Sequence, residues 1–135
     1  MFSNSTKYAI RAIVHMMEAE GDGKNTVVDL ATELDIPQPY LSKILQQLAK
    51  SNIISSTKGR GGGFYLTKEN LNRPLIDVVM CIEGSNVFNQ CILGLPKCSD
   101  RFPCALHEQF KEFKQGLEQS ICVESIKGLL LTKDS

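Results

Sequence analysis

The chain has 135 residues, hydrophobic residues make up 42% of them, and 15 basic residues balance 15 acidic ones. This size and apolar fraction suit one domain with its own hydrophobic core, which excludes a small scaffold that needs cross-links to fold. No apolar stretch approaches the roughly 20 residues of a membrane span, and Arg11, His15 and Glu18 break the N-terminal apolar run, unlike in a signal peptide.

The cysteines are therefore expected in a reducing compartment. A cytoplasmic protein with no membrane partner keeps its thiols reduced. The chain has five cysteines, and an odd number also argues against a closed disulfide framework. Both observations favour metal binding or redox chemistry, rather than structural disulfides, as the role of the thiols.

The first predicted element is a helix over residues 5–21. Apolar side chains recur at helical spacing in this segment, which the residues Ser5 or Thr6 can cap and Gly21 can stop. His15 is expected to be an ordinary packed or surface histidine of this helix.

Two short helices follow. Thr26, with Asp29 three residues later, is an approximate capping box that opens a helix over residues 27–34. Pro37 suits the first turn of the next helix, where its missing N–H costs nothing. One face of that helix is apolar at i, i+3, i+4 and i+7 positions: Leu41, Ile44, Leu45 and Leu48.

A hairpin and two more helices complete the prediction. Residues 53–57 and 64–67 read as short strands around a glycine-rich turn. Pro74 starts another helix. The final helix carries apolar residues at spacings of four, three, four and four, which is close to the heptad pattern of a helix that packs against a partner helix. These residues are Leu106, Phe110, Phe113, Leu117 and Ile121. Gly116 and the end pattern VESIKGLLL predict a break and a last helical turn or two.

Charge is distributed unevenly in this neutral chain. Residues 36–68 contain five basic residues and no Asp or Glu, whereas acidic residues lie on both sides. Such a pattern is typical of a confined phosphate-binding face. Two short helices followed at once by a basic hairpin is also the element order of a winged helix-turn-helix.

This order predicts where DNA is contacted. The outward face of the third helix offers side chains that can donate to bases or phosphates, and arginine on a glycine-rich wing suits a narrow minor groove. The candidates are Gln38, Tyr40, Ser42, Lys43 and Gln46 on the helix and Lys58 and Arg60 on the wing. A polar outer face alone is usually just solvated. A nucleotide-phosphate loop is disfavoured because a strand, not a helix, follows the glycines.

Three cysteines and a histidine form the second candidate site. Cys91, Cys98 and Cys104 are separated by six and five residues, and His107 follows two residues after the third cysteine. A structural zinc site usually has a close C-x₂-C pair, which is missing here, and wider spacing suits an iron–sulfur cluster. A cluster, a zinc ion and metal-free redox thiols all remain open at this point. Cys81 and Cys122 lie in apolar helical runs and are expected in the core.

These motifs together resemble the Rrf2 family of bacterial regulators, which includes iron–sulfur and nitric-oxide sensors. The resemblance spans nearly the whole chain: YAIRAIVHM at the start, the stretch from DLATEL to RGGGFYL in the middle, and C-x₆-C-x₅-C-x₂-H near the end. It implies a winged-helix homodimer that binds a double-stranded DNA operator and dimerises through the long C-terminal helix.

The resemblance also implies a cofactor. Cys91, Cys98 and Cys104 would hold a [2Fe–2S] cluster, or alternatively a [4Fe–4S] cluster, that controls DNA affinity. One branch of the family completes the site with a histidine just after the third cysteine, which is the place of His107. Another branch uses an acid near the N-terminus of the other subunit, and the first ten residues here contain no Asp, Glu, His or Cys. Ser42 stands where the first branch has a glutamate, so its operator sequence does not carry over.

The sequence thus predicts a mainly α fold with a small β-hairpin. Residues 1–84 would form the winged helix-turn-helix domain, residues 85–105 the cysteine-rich sensor loop, and residues 106–135 the dimerisation helix and tail. The predicted function is a dimeric transcriptional regulator, a repressor, that senses iron–sulfur or redox status. The alternatives are a regulator with a metal-free or zinc-bound loop and a small iron–sulfur redox protein. No nucleophile–base pair or carboxylate dyad supports an enzyme.

Overall fold

A computed structural model describes residues 2–18, 23–91, 93, 95 and 100–131 of the chain. The fold is mostly helical with one two-stranded antiparallel hairpin, as predicted. The elements in chain order are α1 (Asn4–Glu18), α2 (Val27–Leu34), α3 (Gln38–Lys50), β1 (Ser55–Thr57), β2 (Gly63–Tyr65), α4 (Lys68–Asn72), α5 (Leu75–Glu83), a 3₁₀ turn (Val87–Asn89), α6 (His107–Val123) and α7 (Gly128–Leu131). None of these helices is long and apolar enough to cross a membrane.

Helix α1 begins earlier than the sequence suggested. The N–H of Thr6 donates to Ser3 Oγ at 3.4 Å, so Ser3 caps the helix and the predicted caps Ser5 and Thr6 are wrong. Thr6 is instead completely buried. Its hydroxyl donates to a carboxylate of α5, which explains why a polar residue is tolerated there.

The helix-turn-helix is built by two local devices. Thr26 Oγ1 accepts from the N–H of Asp29 at 3.1 Å and caps α2, as predicted. Asp35 ends α2 in the left-handed conformation (φ 56°), which turns the chain sharply before Pro37 caps α3. The N–H of Ile36 then donates to Ala31 O at 3.0 Å and holds the turn against α2.

The apolar face of α3 is the centre of the core. Leu41, Ile44, Leu45 and Leu48 are each at most 2% exposed, so the predicted apolar face of α3 is confirmed. They pack in one cluster with side chains from α1, α2, α5 and the segments that flank α3 and follow α6: Ala9, Ala12, Ile13, Met16, Leu30, Ala31, Ile36, Ile53, Ile54, Val78 and Ile126. Because α3 is fixed on its whole inner face, its outer face is presented rigidly.

The hairpin is confirmed with shorter strands than predicted. Ser55 pairs with Tyr65 and Thr57 with Gly63. The wing is also tied to the body of the protein, because Asn25 and Phe64 exchange two backbone hydrogen bonds of 2.8 and 2.7 Å. A Cβ atom at Gly63 would lie 2.7 Å from Asn25 O, so only glycine allows this close pairing.

Two short elements were not predicted. Helix α4 is opened by a full capping box between Thr67 and Asn70. The 3₁₀ turn buries Val87 and Phe88 against Val79 and Ile121, forming a second, smaller apolar cluster. This cluster anchors the start of the cysteine-rich sensor loop (residues 85–105), called the cysteine loop below, to α5 and α6.

Helix α6 differs from its prediction in two respects. It runs without interruption through Gly116 to Val123, so Gly116 does not break it. The predicted break lies at residues 124–127, and the predicted last helical turn, α7, follows it. Ile121 is 7% exposed and Leu117 packs beside it in the second cluster, so these two residues serve this chain's own core rather than a partner helix. Phe113, by contrast, is 59% exposed.

The end of α6 is fastened to the start of α5. The N–H of Leu75 donates to Glu124 O at 2.8 Å, and the N–H of Ile126 donates to Arg73 O at 2.9 Å. The following turn places Ile126, which is completely buried, in the main core. A displacement of α6 would therefore move Ile126 and disturb the packing of the helices around α3.

A single carboxylate clamps the N-terminus of α1 to the C-terminus of α5. Glu83 Oε1 accepts from the N–H of Ser3 and from Thr6 Oγ1, both at 2.7 Å. Burial raises the pKa of Glu83, but the hydrogen bonds from Ser3 and Thr6 outweigh this effect, and the net pKa lies below its usual value of 4.5.

We expect Glu83→Gln to lower the free energy of unfolding in a pH-dependent manner. Because the folded-state pKa is depressed, the clamp stabilises the fold above about pH 4.5 and is lost as the pH falls through the folded-state pKa. A hydrogen bond to a charged group contributes about 1.5–3 kcal/mol. Because Glu83 is only partly buried, the loss at pH 7 should be smaller, about 1–2 kcal/mol. Urea unfolding of both proteins, from pH 7 down to the lowest pH at which they fold, measures it. A difference that stays constant with pH would contradict the role of the charge.

Candidate DNA interface and cysteine loop

The outer face of α3 carries the predicted groove residues. Gln38, Lys43 and Gln46 are exposed, and Ser42 is half-buried. Gln46 Nε2 donates to Ser42 Oγ at 3.2 Å, so these two side chains form one polar unit one helical turn apart. The face thus offers a cation and a preordered pair of hydrogen-bonding groups at the surface.

Tyr40 has a different environment from its neighbours. Its side chain is 42% exposed, its ring packs edge-on against Tyr8 with centroids 5.7 Å apart, and its hydroxyl lies 2.5 Å from Ser5 Oγ. The tyrosine therefore connects the first turn of α3 to the first turns of α1. If the hydroxyl also binds a phosphate, as predicted, it does so while in contact with Ser5 Oγ.

The tip of the wing presents both predicted cations to solvent. Lys58 and Arg60 are exposed, and the tip is closed by a hydrogen bond from Gly62 N–H to Gly59 O at 3.0 Å. Gly59 and Gly61 have φ values of 88° and 71°, so the turn requires glycine at both positions.

In the cysteine loop the structure brings two of the three predicted thiols together. Cys91 and Cys104 are both half-buried, and their sulfurs are 3.6 Å apart. Two thiolates on one tetrahedral metal with bonds of ~2.3 Å would be ~3.8 Å apart. The pair therefore fits two ligands of one iron or zinc ion. Cys98 lies outside the described residues.

His107, the fourth predicted ligand, is the first residue of α6. Its backbone N–H donates to Cys104 O at 3.1 Å, which fixes the histidine next to the third cysteine. Its ring Nε2 lies 2.8 Å from Asp100 Oδ1, and Lys111 Nζ lies 3.2 Å from the same oxygen. The hydrogen bonds from His107 and then from Lys111 hold the pKa of Asp100 below its usual range.

Asp100 and Lys111 were missed by the sequence prediction. Asp100 precedes Cys104 by four residues and Lys111 follows His107 by four, so both are local to the motif. They line a cleft of about 380 Å³ together with His107, Phe88, Asn89, Lys114, Gln115 and Glu118. An i, i+4 pair of His and Lys on a predicted helix was the one available signal, because such residues share a helix face.

The two remaining cysteines differ from each other. Cys81 is half-buried against the main cluster, and its thiol lies 3.5 Å from Gln47 O, in line with its predicted place in the core. Cys122 is exposed, so its predicted burial is wrong. On α6 the residue turns away from the second cluster, which Ile121 enters instead.

Comparison with known proteins decides the family. Residues 2–130 match the Rrf2 family, described as "Iron-dependent Transcriptional regulator". The chain belongs to the Rrf2 family. Its relatives include the HTH-type transcriptional regulator NsrR of Geobacillus kaustophilus, which is 30% identical over 131 residues, or 86% of this chain and 82% of that one.

Solved structures agree on the fold of this Rrf2 regulator. CymR, the global cysteine regulator of Bacillus subtilis, superposes with a TM-score of 0.72 at 16% identity and covers 96% of this chain and 95% of its own. IscR of T. potens has a TM-score of 0.71 at 19% identity, with coverages of 98% and 88%. These structures confirm the predicted winged-helix fold. The family match and the HTH-type relative confirm the prediction of a DNA-binding transcriptional regulator.

Proposed function

We propose that this Rrf2 protein is a homodimeric repressor that binds operator DNA in the cytoplasm and responds to iron–sulfur or redox status through residues 91–107. The observation that carries the sensing part is the 3.6 Å separation of the Cys91 and Cys104 sulfurs, next to His107. The family description as iron-dependent supports the same assignment. A [2Fe–2S] cluster, or alternatively a [4Fe–4S] cluster, held by Cys91, Cys98, Cys104 and His107 would supply redox and nitric-oxide reactivity at this loop.

The DNA-binding part of the proposal rests on α3 and the wing. Gln38, Ser42, Lys43 and Gln46 would enter the major groove, because the opposite face of α3 is completely packed. At the wing, the exposed residues Lys58 and Arg60 would reach phosphates or the adjacent minor groove. No acidic residue between residues 36 and 68 opposes these contacts.

Contacts within the chain offer a route from the loop to α3. Phe88 lines the cleft beside His107, and Phe2 packs edge-on against Phe88 with centroids 6.4 Å apart. Helix α1 starts two residues later, and Ser5 in its first turn contacts the hydroxyl of Tyr40 on α3. We propose that reordering of the loop shifts Phe88 and Phe2 and so changes the presentation of Tyr40. A coupling of this kind typically changes affinity by ~1–3 kcal/mol.

The dimer is proposed to form on the exposed face of α6. Phe113, Gly116, Ser120 and Val123 are all exposed and follow one another at spacings of three, four and three residues, the a and d pattern of a coiled coil. Val123 is 86% exposed, so its apolar side chain is accessible to a partner helix. The small residues in the middle of this seam would allow a second α6 helix to approach closely.

One experiment tests both halves of the proposed function. The protein is purified without oxygen, analysed for iron, sulfide and zinc, and titrated with fluorescent genomic fragments before and after exposure to air. We expect iron and sulfide with visible absorption, and an operator affinity that changes on exposure. A colourless protein that contains stoichiometric zinc would overturn the cluster, and a protein that binds no fragment in either state would overturn operator binding.

Single cysteine substitutions locate the cofactor. We expect Cys104→Ser to abolish the visible absorption and the bound iron, because it removes one of two adjacent ligands of the same metal. The matched control is Cys122→Ser, which replaces an exposed thiol of α6 and should keep both. Full retention of iron by Cys104→Ser would rule out this ligand assignment.

A metal-free thiol switch is the second candidate function, because two thiols at 3.6 Å are also close enough to oxidise. An oxidant would then accept two electrons and two protons as the sulfur–sulfur bond forms. An oxidized form of Staphylococcus aureus CymR is among the solved structures of this fold. The same purification distinguishes the two: the switch predicts a colourless, metal-free protein whose operator affinity still changes with oxidant.

A further inference from the structure

One buried side chain joins both ends of the wing to the turn that follows α3. Asn70 is 4% exposed although it is a polar residue of the short helix α4. Its Oδ1 accepts from Ser55 Oγ at 2.9 Å and from the N–H of Thr67 at 2.8 Å, and its Nδ2 donates to Asn52 O at 3.0 Å. Asn52 and Ser55 lie before and at the start of β1, whereas Thr67 comes two residues after β2. Asn70 thus binds the chain on both sides of the hairpin.

A carboxamide, and not a carboxylate, fits this position. A backbone N–H can only donate and a backbone carbonyl can only accept, so the oxygen of Asn70 faces Thr67 and its nitrogen faces Asn52. An aspartate would keep the acceptor side but would turn a negatively charged oxygen toward the Asn52 carbonyl. Burial makes such an unmatched contact costly.

The turn held by Asn70 sets the direction in which the chain leaves α3. Asn52 lies in the left-handed region with a φ of 59°, and β1 begins three residues later. Arg73 Nη1 donates to the same Asn52 oxygen at 3.3 Å, and Arg73 Nε donates to Asp77 on α5 at 2.7 Å. The start of the wing is therefore held by side chains that come after the wing in sequence, and a shift of this turn would tilt the wing relative to α3.

Capping of α4 is the competing interpretation of Asn70. Reciprocal hydrogen bonds between Thr67 and Asn70 form the capping box that opens this helix. A capping box uses only the acceptor atom of its side chain, however, whereas the contacts of Asn70 with Asn52 and Ser55 lie outside α4 and its cap. Aspartate separates the two roles, because it keeps the acceptor and loses the donor.

We propose that Asn70 is a positioning residue for operator binding: it sets the angle between α3 and the wing, so that both meet the same stretch of DNA. This inference rests on the proposed function, since it takes the wing as a DNA contact. It deepens that function by assigning the placement of the wing to a buried residue that does not itself touch DNA.

The test is a double-mutant cycle between Asn70 and the wing tip. Fluorescence anisotropy measures the affinity of full-length protein for a genomic fragment that the unaltered protein binds. We expect Asn70→Asp to weaken binding about fivefold, but less than about twofold where Lys58→Ala/Arg60→Ala has already removed the wing cations, because residues that act through one another are not additive. The matched control is Asn72→Asp, which adds the same charge at an exposed position of α4 and should leave the affinity unchanged in both backgrounds.

A milder variant repeats the cycle. Ser55→Ala removes only the contact between Asn70 and β1 and should weaken binding about threefold, again only where the wing cations are present. Circular dichroism shows whether each variant is folded under the binding conditions, and the Ser55→Ala cycle decides the outcome if Asn70→Asp does not fold. An equal loss in both backgrounds, or no loss in either, would overturn the positioning role alone. Unchanged affinity in Lys58→Ala/Arg60→Ala itself would overturn the wing contact of the proposed function and the positioning role with it.

Discussion

Replacing Leu45 by alanine should lower the free energy of unfolding by about 3 kcal/mol, within the range of ~2–5 kcal/mol seen for buried leucines. Leu45 is completely buried on the inner face of α3 and belongs to the main cluster. Its truncation removes apolar contacts and leaves a cavity that packed neighbours from several helices can fill only partly. Urea unfolding monitored by circular dichroism measures the change. For a domain of this size the loss is a large fraction of the total stability.

The neighbouring residue supplies the control. Gln46→Ala alters an exposed side chain whose only described contact is a hydrogen bond with Ser42, so its effect on unfolding should stay within about 0.5 kcal/mol. Its effect on operator affinity should be the larger one. Equal destabilisation by the two variants would mean that α3 is not oriented as described.

The inner face of α3 was predictable because its information is local. Four apolar residues at i, i+3, i+4 and i+7 specify one helix face, and Pro37 marks where the helix starts. The wing was predictable for the same reason, since the glycines of a tight turn and the flanking β-branched and aromatic residues are consecutive. Shorter strands resulted because Ile53 and Ile54 enter the main core before the ladder begins.

Other features depend on contacts that the sequence does not display. Gly116 costs a helix about 1 kcal/mol, but α6 is continuous across it because Leu117 and Ile121 pack in the second cluster on its C-terminal side. Helix α4 was missed because Asn70 takes the place of the usual Glu or Gln in its capping box. The 3₁₀ turn at residues 87–89 is too short to show any periodicity.

The same distinction between local and long-range information applies to the candidate site. The residue types and spacing of the cysteine motif could be read directly, whereas the approach of Cys91 to Cys104 across a thirteen-residue separation could not. The partner of His107 was equally hidden, because nothing in the spacing of Asp100 shows that its carboxylate turns toward the ring. The path from Phe88 through Phe2 to α1 joins residues far apart in sequence and exists only in the folded chain.

The electrostatic part of DNA binding can be separated from stability because the cations concerned are exposed. Lys43 on α3 and Arg60 on the wing lie in the stretch that has no acidic residue, and both are exposed. A basic residue that neutralises one phosphate contributes about 0.9 to the slope of log affinity against log salt concentration. The slope therefore counts phosphate contacts without requiring knowledge of the operator sequence.

Removal of both cations should weaken operator binding roughly 100-fold, since each charge-assisted contact is worth about 1.5 kcal/mol. The Lys43→Ala/Arg60→Ala variant should also lower the salt slope by about 2, and each single variant by about 1. Fluorescence anisotropy at several salt concentrations measures both quantities. Lys127→Ala removes one exposed cation from the segment after α6 and should leave the slope unchanged. If it lowered the slope as much as Lys43→Ala, net charge rather than the α3 and wing face would govern binding.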